Sequence, residues 1–208
     1  MLSIETAAAF FSASLLLALA PGPDNLFVLT QSALHGRRAG WIVTLGLCTG
    51  LIVHTTAVAA GVAAIVQTSA TAFGVLKTVG CAYLLYLAWQ AFTSSSADNN
   101  ADRPKAAATG QLYRRGIVMN VTNPKVSLFF LAFLPQFVDP MRGPAVLQIA
   151  ALGGLFIVAT ALVFGSVAAT AGALQRRLAR SDRALAAMRR VAGLIFVGLA
   201  MKLALARR

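Results

Sequence analysis

Two ionisable side chains lie beside prolines in stretches that are otherwise apolar. Asp24 follows Pro23, and Lys125 follows Pro124. An ionisable group at membrane depth costs about 2.5 to 3.5 kcal/mol on insertion scales, so it usually has a function. A carboxylate there can bind an ammonium group or carry a proton, and an ammonium group can bind a carboxylate. Because a proline lacks a backbone N–H and frees a carbonyl one turn earlier, both positions also predict broken helices.

Each candidate residue has a structural interpretation beside its functional one. Asp24 could cap a half-helix that begins at Asn25, and the Lys125 side chain could extend its charge toward the preceding loop. Asn123 ahead of a proline is a good helix N-cap, a role compatible with substrate binding. His54 could relay a proton, although a histidine bonded to a neighbouring helix is the more frequent arrangement. The predicted substrate- or proton-binding residues are Asp24, Asn25, His54, Asn120, Asn123 and Lys125, and the predicted helix breaks are Pro21, Gly22, Pro23 and Pro124.

Long apolar stretches must hold these residues in place. Of the 208 residues, 58% are hydrophobic and 12% are charged, and the mean hydropathy is +0.76. A membrane-spanning helix needs about 20 mostly apolar residues. The predicted spans are 4–30, 41–66, 70–93, 115–138, 145–172 and 189–206. We therefore predict an all-α integral membrane protein with about six transmembrane helices and a single domain, 1–208, whose halves, 1–93 and 112–208, are joined by the polar loop 94–111.

The two predicted breaks fall in corresponding spans. Spans one and four each begin one half of a three-plus-three arrangement, and an odd number of spans gives the halves opposite membrane orientations. Such an inverted repeat, with broken helices in matching positions, is typical of secondary transporters whose substrate binds near the bilayer midplane. The half-helix ends and the freed carbonyls would offer partial charges to a polar substrate.

The basic residues predict the orientation. Twelve of the eighteen lie in the loops that join spans one to two, three to four and five to six, which predicts cytoplasmic loops and periplasmic termini. These twelve are Arg37, Arg38, Arg103, Lys105, Arg114, Arg115, Arg176, Arg177, Arg180, Arg183, Arg189 and Arg190. The net charge of +12 therefore needs no nucleic-acid partner. Glu5, with no basic residue near it, argues against a cleaved signal peptide. Lys202 in span six is expected to extend toward the outer surface.

Other classes of protein fit the sequence less well. It has no Gly-rich phosphate loop ending in Lys-Ser or Lys-Thr and no metal-ligand spacing, so we expect no ATP hydrolysis and no cofactor. Cys48 and Cys81 fall in spans two and three, where small buried thiols are the usual interpretation. The alternative that stays open is a membrane thiol-redox carrier that uses both cysteines. An intramembrane hydrolase would need a nucleophile motif beside His54, and none is evident, so we expect no enzyme activity.

Five short motifs together resemble those of a known family. They are Pro21-Gly22-Pro23-Asp24-Asn25-Leu26, Gly36-Arg37-Arg38-Ala39-Gly40, Gly80-Cys81-Ala82-Tyr83-Leu84-Leu85-Tyr86-Leu87, Asn120-Val121-Thr122-Asn123-Pro124-Lys125 and Phe133-Leu134-Pro135-Gln136-Phe137. Over essentially its whole length the chain resembles the LysE/RhtB family of bacterial lysine exporters and homoserine/threonine resistance transporters. The resemblance implies efflux of threonine, homoserine, homoserine lactone, lysine or related compounds across the inner membrane, driven by the membrane potential or the proton gradient. The expected partners are a small-molecule substrate, membrane lipid and a second copy of the chain in a homo-oligomer.

Overall fold

Helices make up nearly all of the computed structural model, which describes residues 2–65, 70–93, 108–178 and 182–205. No strand occurs in those ranges, so the all-α prediction is confirmed. The helices are α1 (Ile4–Leu19), α2 (Pro23–His35), α3 (Arg37–Ile65), α4 (Ala70–Thr93), α5 (Thr109–Val121), α6 (Pro124–Leu128), α7 (Ala145–Leu178) and α8 (Asp182–Leu205). After α6 come a π-helical turn, Phe129–Phe133, and two 3-10 turns, Leu134–Phe137 and Pro140–Arg142.

Bends interrupt the helices at two of the prolines. α1 and α2 meet at 62°, and α5 meets the segment Pro124–Phe137 at 48°. In both places a proline is the first residue of the second helix, where its missing N–H has no intrahelical partner to lose and its fixed φ suits the helix. The first helix ends before the proline because the proline ring has no N–H to continue the hydrogen-bond ladder.

Two single helices are long and apolar enough to cross a membrane, Arg37–Gly61 of α3 and Ala145–Ala171 of α7. Each bent pair passes the same test as one span, which gives up to four candidate spans among the described residues. Large apolar side chains such as Leu45, Ile52 and Leu162 are exposed on the outside of these helices, where lipid would cover them. These features support a multi-pass membrane protein.

The predicted span limits differ from the observed helix ends. α4 and α8 occupy predicted spans three and six, but they are not among the candidate spans of the described residues. α8 begins at Asp182 rather than at 189, and α3 begins at Arg37 rather than at 41. Hydropathy marks the apolar stretch, whereas helical hydrogen bonding continues into the polar turns beyond it. Arg103, Lys105, Arg180, Arg207, Arg208 and residues 94–107 of the predicted loop lie outside the described residues.

α3 and α7 lie at the centre of the packing. α3 packs on α5 and α7, and α7 also packs on α1 and α2. α4 packs along α8, and this pair contacts the other helices mainly through α1 and the π-helical turn. The larger hydrophobic cluster contains a group of stacked phenylalanines, Phe10, Phe129, Phe130, Phe133 and Phe156. The two bends therefore lie in a bundle whose long helices hold them from several sides.

Lys202, which the sequence predicts to extend toward the outer surface, contacts two aromatic rings. Its side chain is exposed, and its ammonium lies 4.5 Å from the ring centroid of Phe137 and 5.7 Å from that of Phe133. A cation–π contact of this kind at an exposed site is worth about 0.5 to 1 kcal/mol. The lysine thereby links α8 to the 3-10 turn at the end of the second bent segment.

Candidate functional site

Asp24 lies at the second position of α2, with only 3% of its surface exposed. Its Oδ2 accepts a hydrogen bond of 2.9 Å from Nδ2 of Asn123, and Asn120 lines the same small cavity as Asp24. Its Oδ1 is buried and has no partner among the described residues. Because α2 begins at Pro23 and its N-cap is Gly22, the capping interpretation of Asp24 is wrong. A buried carboxylate oxygen is left for another use.

Lys125 occupies the matching second position of α6, and only 6% of its surface is exposed. Its Nζ donates to the carbonyl oxygens of Ala20 at 3.0 Å and Leu17 at 3.3 Å. These carbonyls end α1, where the bend leaves them without helical donors. Gly22 gives the ammonium room, because a Cβ at that position would lie 3.2 Å from Nζ. The alternative that Lys125 extends toward the preceding loop is therefore wrong.

Asn123 joins the two bends. Its Nδ2 donates to Asp24, and its Oδ1 accepts from the backbone N–H of Lys125 at 3.1 Å. One side chain thus caps α6 and holds the carboxylate of α2. Asn25 supports the first bend, because its Nδ2 donates to the carbonyl of Ala18 at 2.8 Å. Both asparagines use backbone groups or side chains that the bends bring within reach.

No direct ion pair joins Asp24 to Lys125. In the described parts of the chain, the ion pair within 4 Å is the exposed contact between Arg142 and Asp139. The carboxylate of Asp24 is held by Asn123, and the ammonium of Lys125 is held by two carbonyls. Each charge is therefore held separately and can meet a ligand of its own.

α3 reaches the second bend through His54 and Gly50. Nε2 of His54 lies 3.1 Å from the carbonyl oxygen of Asn120, and because that oxygen can only accept, Nε2 carries a hydrogen. The imidazole packs on the ring of Phe130, with centroids 5.5 Å apart. Gly50 lies so close to Asn120 that a Cβ would sit 2.7 Å from its side-chain Cβ and Oδ1. His54 therefore supports the bend from α3.

Gly50→Ala is expected to lower the thermal stability of the purified protein. The added methyl group would push α3 from Asn120, and overpacking of this kind typically costs about 1 to 3 kcal/mol. Gly61→Ala in the same helix is the matched control, because no described residue lies within 4 Å of a Cβ there and alanine is the better helix former by about 1 kcal/mol. The melting temperatures of the two purified variants in detergent are then compared. Equal melting temperatures would show that the contact between α3 and Asn120 is loose.

Two cavities lie beside the bends. The smaller, of about 10 Å³, is lined by Asp24, Asn120, Lys125 and Thr160 together with apolar residues, and it is near the minimum size for one water molecule. The larger, of about 770 Å³, is open, and we call it the vestibule. Its lining residues are Pro21, Gly22, Pro23, Leu26, Tyr83, Tyr86, Leu87, Gln90, Ala91, Asn123, Pro124, Lys125 and Phe196. Lys125 lines both cavities and therefore stands between them.

Three buried acceptor oxygens lie near the bends. They are Oδ1 of Asp24, Oδ1 of Asn25 and Oδ1 of Asn120, all without a partner among the described residues. A buried polar group left unsatisfied costs about 1 to 3 kcal/mol. Oxygens of this kind favour a donor such as a proton, a water molecule or an ammonium group. The smaller cavity, which Asp24 and Asn120 line, is where such a donor has room.

Sequence reasoning missed four polar residues of these cavities. Thr160 comes from α7 and lines the smaller cavity, whereas Tyr83, Tyr86 and Gln90 come from α4 and line the vestibule. The tyrosines belong to the motif Gly80-Cys81-Ala82-Tyr83-Leu84-Leu85-Tyr86-Leu87, and their spacing of three residues places both on one helix face, which is a signal in the sequence. Thr160 could have been noted as a hydroxyl within an apolar run.

Two bent spans in a helical membrane bundle, with an acidic and a basic residue buried at the bends, are typical of membrane transporters. The family model for LysE type translocators matches residues 15–207, so the chain belongs to this family. Homoserine/homoserine lactone efflux proteins of Salmonella typhi and Salmonella typhimurium are each 32% identical to it over 199 residues, which cover 96% of both chains. An uncharacterized membrane protein of Vibrio cholerae is 31% identical over the same share. No solved structure matches.

Proposed function

We propose that this protein exports small amino acids or their derivatives from the bacterial cytoplasm across the inner membrane, in exchange for protons. The observation that carries the proposal is the separate burial of Asp24 and Lys125 at the two bends, each beside a cavity. A zwitterionic substrate and a proton need these two kinds of group. The relatives named for homoserine and homoserine lactone efflux support this substrate class.

The proposed architecture is an inverted repeat of three spans in each half of the single domain. The bent pair α1–α2 would correspond to α5–α6, α3 to α7, and α4 to α8. In both halves the bend is followed by a proline and then by a charged residue, Asp24 in one half and Lys125 in the other. The packing supports the same correspondence, because α3 packs on the bent pair of the second half and α7 packs on that of the first.

The proposed conformation is open toward the cytoplasm. α4 packs on α6 and the π-helical turn, and α8 packs on α1, but neither packs comparably on α2 or α5 in the described chain. If both halves of an inverted repeat had the same conformation, both sets of contacts would form. The observed difference between the two sets favours a bundle that is closed around α1 and α6 and open around α2 and α5. The basic residues predict that α2 ends, and α5 begins, in the cytoplasm, with both termini in the periplasm.

The proposed mechanism is alternating access. In the state open to the periplasm, a proton would bind Oδ1 of Asp24, the carboxylate oxygen without a partner among the described residues. In the state open to the cytoplasm, this proton would leave, and the substrate would enter the vestibule and meet the ammonium of Lys125. The pair of α4 and α8 would then swing from α1 and α6 toward α2 and α5. One proton falling through about 100 mV releases about 2.3 kcal/mol, enough for roughly a fiftyfold substrate gradient.

The test is efflux from cells or inverted vesicles loaded with a panel of labelled amino acids. The full chain is compared with an empty vector, with and without an uncoupler. Faster and uncoupler-sensitive movement of particular amino acids would establish the function and identify the substrates. Equal movement across the whole panel would contradict export of amino acids.

The thiol-redox alternative has its own test. Cys48 lies on α3 and Cys81 on α4, and both are free thiols. Sγ of Cys81 lies 3.6 Å from the carbonyl oxygen of Ala200 on α8, away from the bends. The double variant Cys48→Ser with Cys81→Ser is therefore expected to keep export within about twofold of the wild type, since isosteric polar changes outside the site cost little. Loss of all activity in this variant would favour the redox carrier.

A further inference from the structure

The vestibule has one charged side chain among its described lining residues, Lys125. Asp24, the acid of the bends, does not line this cavity and borders the smaller one on the other side of Lys125. The remaining polar groups of the vestibule are the side chains of Asn123, Tyr83, Tyr86 and Gln90. A molecule that enters it therefore meets a positive charge, phenols and amides, and no carboxylate from the residues that the structure describes.

α4 contributes Tyr83, Tyr86 and Gln90 to the wall of the vestibule. Tyr83, Tyr86 and Gln90 are spaced by three and four residues, which places them on one face of the helix. The tyrosine rings pack with centroids 5.9 Å apart, and Nε2 of Gln90 donates to the hydroxyl oxygen of Tyr86 at 2.9 Å. The three side chains form a connected polar and aromatic surface that lines the same cavity as Lys125.

This distribution of charge has a consequence for selection. A zwitterion can place its carboxylate on Lys125 and its α-ammonium against the aromatic faces, which attract cations. A molecule with a second ammonium group, such as lysine, finds no anion for it and experiences repulsion from Lys125. Like charges within several ångströms of each other at intermediate dielectric weaken binding by about tenfold or more.

We propose that the vestibule selects substrates by charge. It would bind small zwitterions, whose carboxylate contacts Lys125, or neutral compounds, whose carbonyl does so. Tyr83, Tyr86 and Gln90 would determine this specificity, and we call them the specificity wall. Basic amino acids are excluded. This inference rests on the proposed function and narrows it, because the family resemblance alone leaves lysine-like substrates as candidates.

Gln90→Glu tests the inference by gain of function. The carboxylate is nearly isosteric with the amide and can accept a hydrogen bond from the Tyr86 hydroxyl, so the wall keeps its shape. The variant is expected to raise the transport rate of labelled lysine relative to homoserine by about tenfold in proteoliposomes. Thr93→Glu is the matched control, since it adds the same charge to an exposed position of α4 that does not line the vestibule. Ala91→Glu, which does line it, is the second test variant.

The outcomes separate this inference from the proposed function. Homoserine transport by the wild type without lysine transport, together with lysine transport by Gln90→Glu or Ala91→Glu but not by Thr93→Glu, supports the specificity wall. Wild-type transport of lysine at the rate of homoserine overturns it. Unchanged selectivity in both vestibule variants, with homoserine transport retained, also overturns it. A wild type that moves no amino acid overturns the proposed function, and the inference falls with it.

Discussion

Asp24→Asn is expected to abolish uphill export while leaving substrate exchange intact. Asparagine has the size of the native side chain and can still accept from Nδ2 of Asn123, so the join between the bends is kept. It cannot take a proton, and the free Oδ1 loses its proposed role as proton carrier. In proteoliposomes with an imposed proton gradient, the accumulation ratio should fall from as much as about fiftyfold to about one. Counterflow, in which labelled substrate exchanges with unlabelled substrate, needs no net proton movement and should persist.

The matched control for this change is Asp139→Asn. Asp139 is also an acid, but it is exposed and pairs with Arg142 in the 3-10 turn after the second bent segment. An exposed pair of this kind is worth about 0 to 1 kcal/mol, so its loss should leave the accumulation ratio unchanged. Full accumulation by Asp24→Asn would mean that another group carries the proton, and His54, which bonds the second bend, would be the next residue to replace.

The bends of this fold could be predicted because they break a strong local rule. A proline in an apolar helix forces a change of direction, and a charged residue next to it is costly unless something compensates for the charge. Asp24 and Lys125 satisfy both conditions in the sequence alone. Their burial and their proximity follow from the same rule, because the two bends are the places in the bundle where polar groups and freed carbonyls are available.

The partners of these residues could not be predicted. The sequence suggests that Lys125 could pair with Asp24, whereas its ammonium is held by the carbonyls of Ala20 and Leu17. Which group it reaches depends on the bend angles and on how α1 and α6 cross, and these are set by packing between distant segments. The same holds for Gln90, since its place in the vestibule lining depends on how α4 packs beside the two bends.

The ends of the helices also could not be predicted from the sequence. Hydropathy identifies residues that can lie in hydrocarbon, and it therefore predicted a last span beginning at 189, whereas α8 begins at Asp182. The helix continues past the apolar stretch because arginine and alanine are good helix formers in a polar setting. The apolar length thus indicates how much of a helix could lie in the membrane, and it does not indicate where the helix starts.

Lys125→Met is expected to abolish both uphill export and counterflow, which distinguishes it from Asp24→Asn. Methionine fills a similar volume but leaves the carbonyls of Ala20 and Leu17 without a donor, and it removes the one charge that the described lining of the vestibule offers to a carboxylate. A hydrogen bond to a charged group contributes about 1.5 to 3 kcal/mol, so substrate binding should weaken by at least about tenfold. Labelled homoserine binding to the purified protein measures this directly.

Lys202→Met is the matched control for this lysine, because its ammonium lies over Phe137 outside both cavities. Its binding and counterflow should match those of the wild type. A Lys125→Met protein that melts normally and still exchanges homoserine would show that the ammonium only supports the first bend. Uncharged groups of the vestibule would then have to bind the substrate carboxylate. Of the two buried charges, Asp24 alone would be needed for transport. Loss of exchange with normal melting would instead assign the two charges different roles. Lys125 would bind the substrate, and Asp24 would carry the proton.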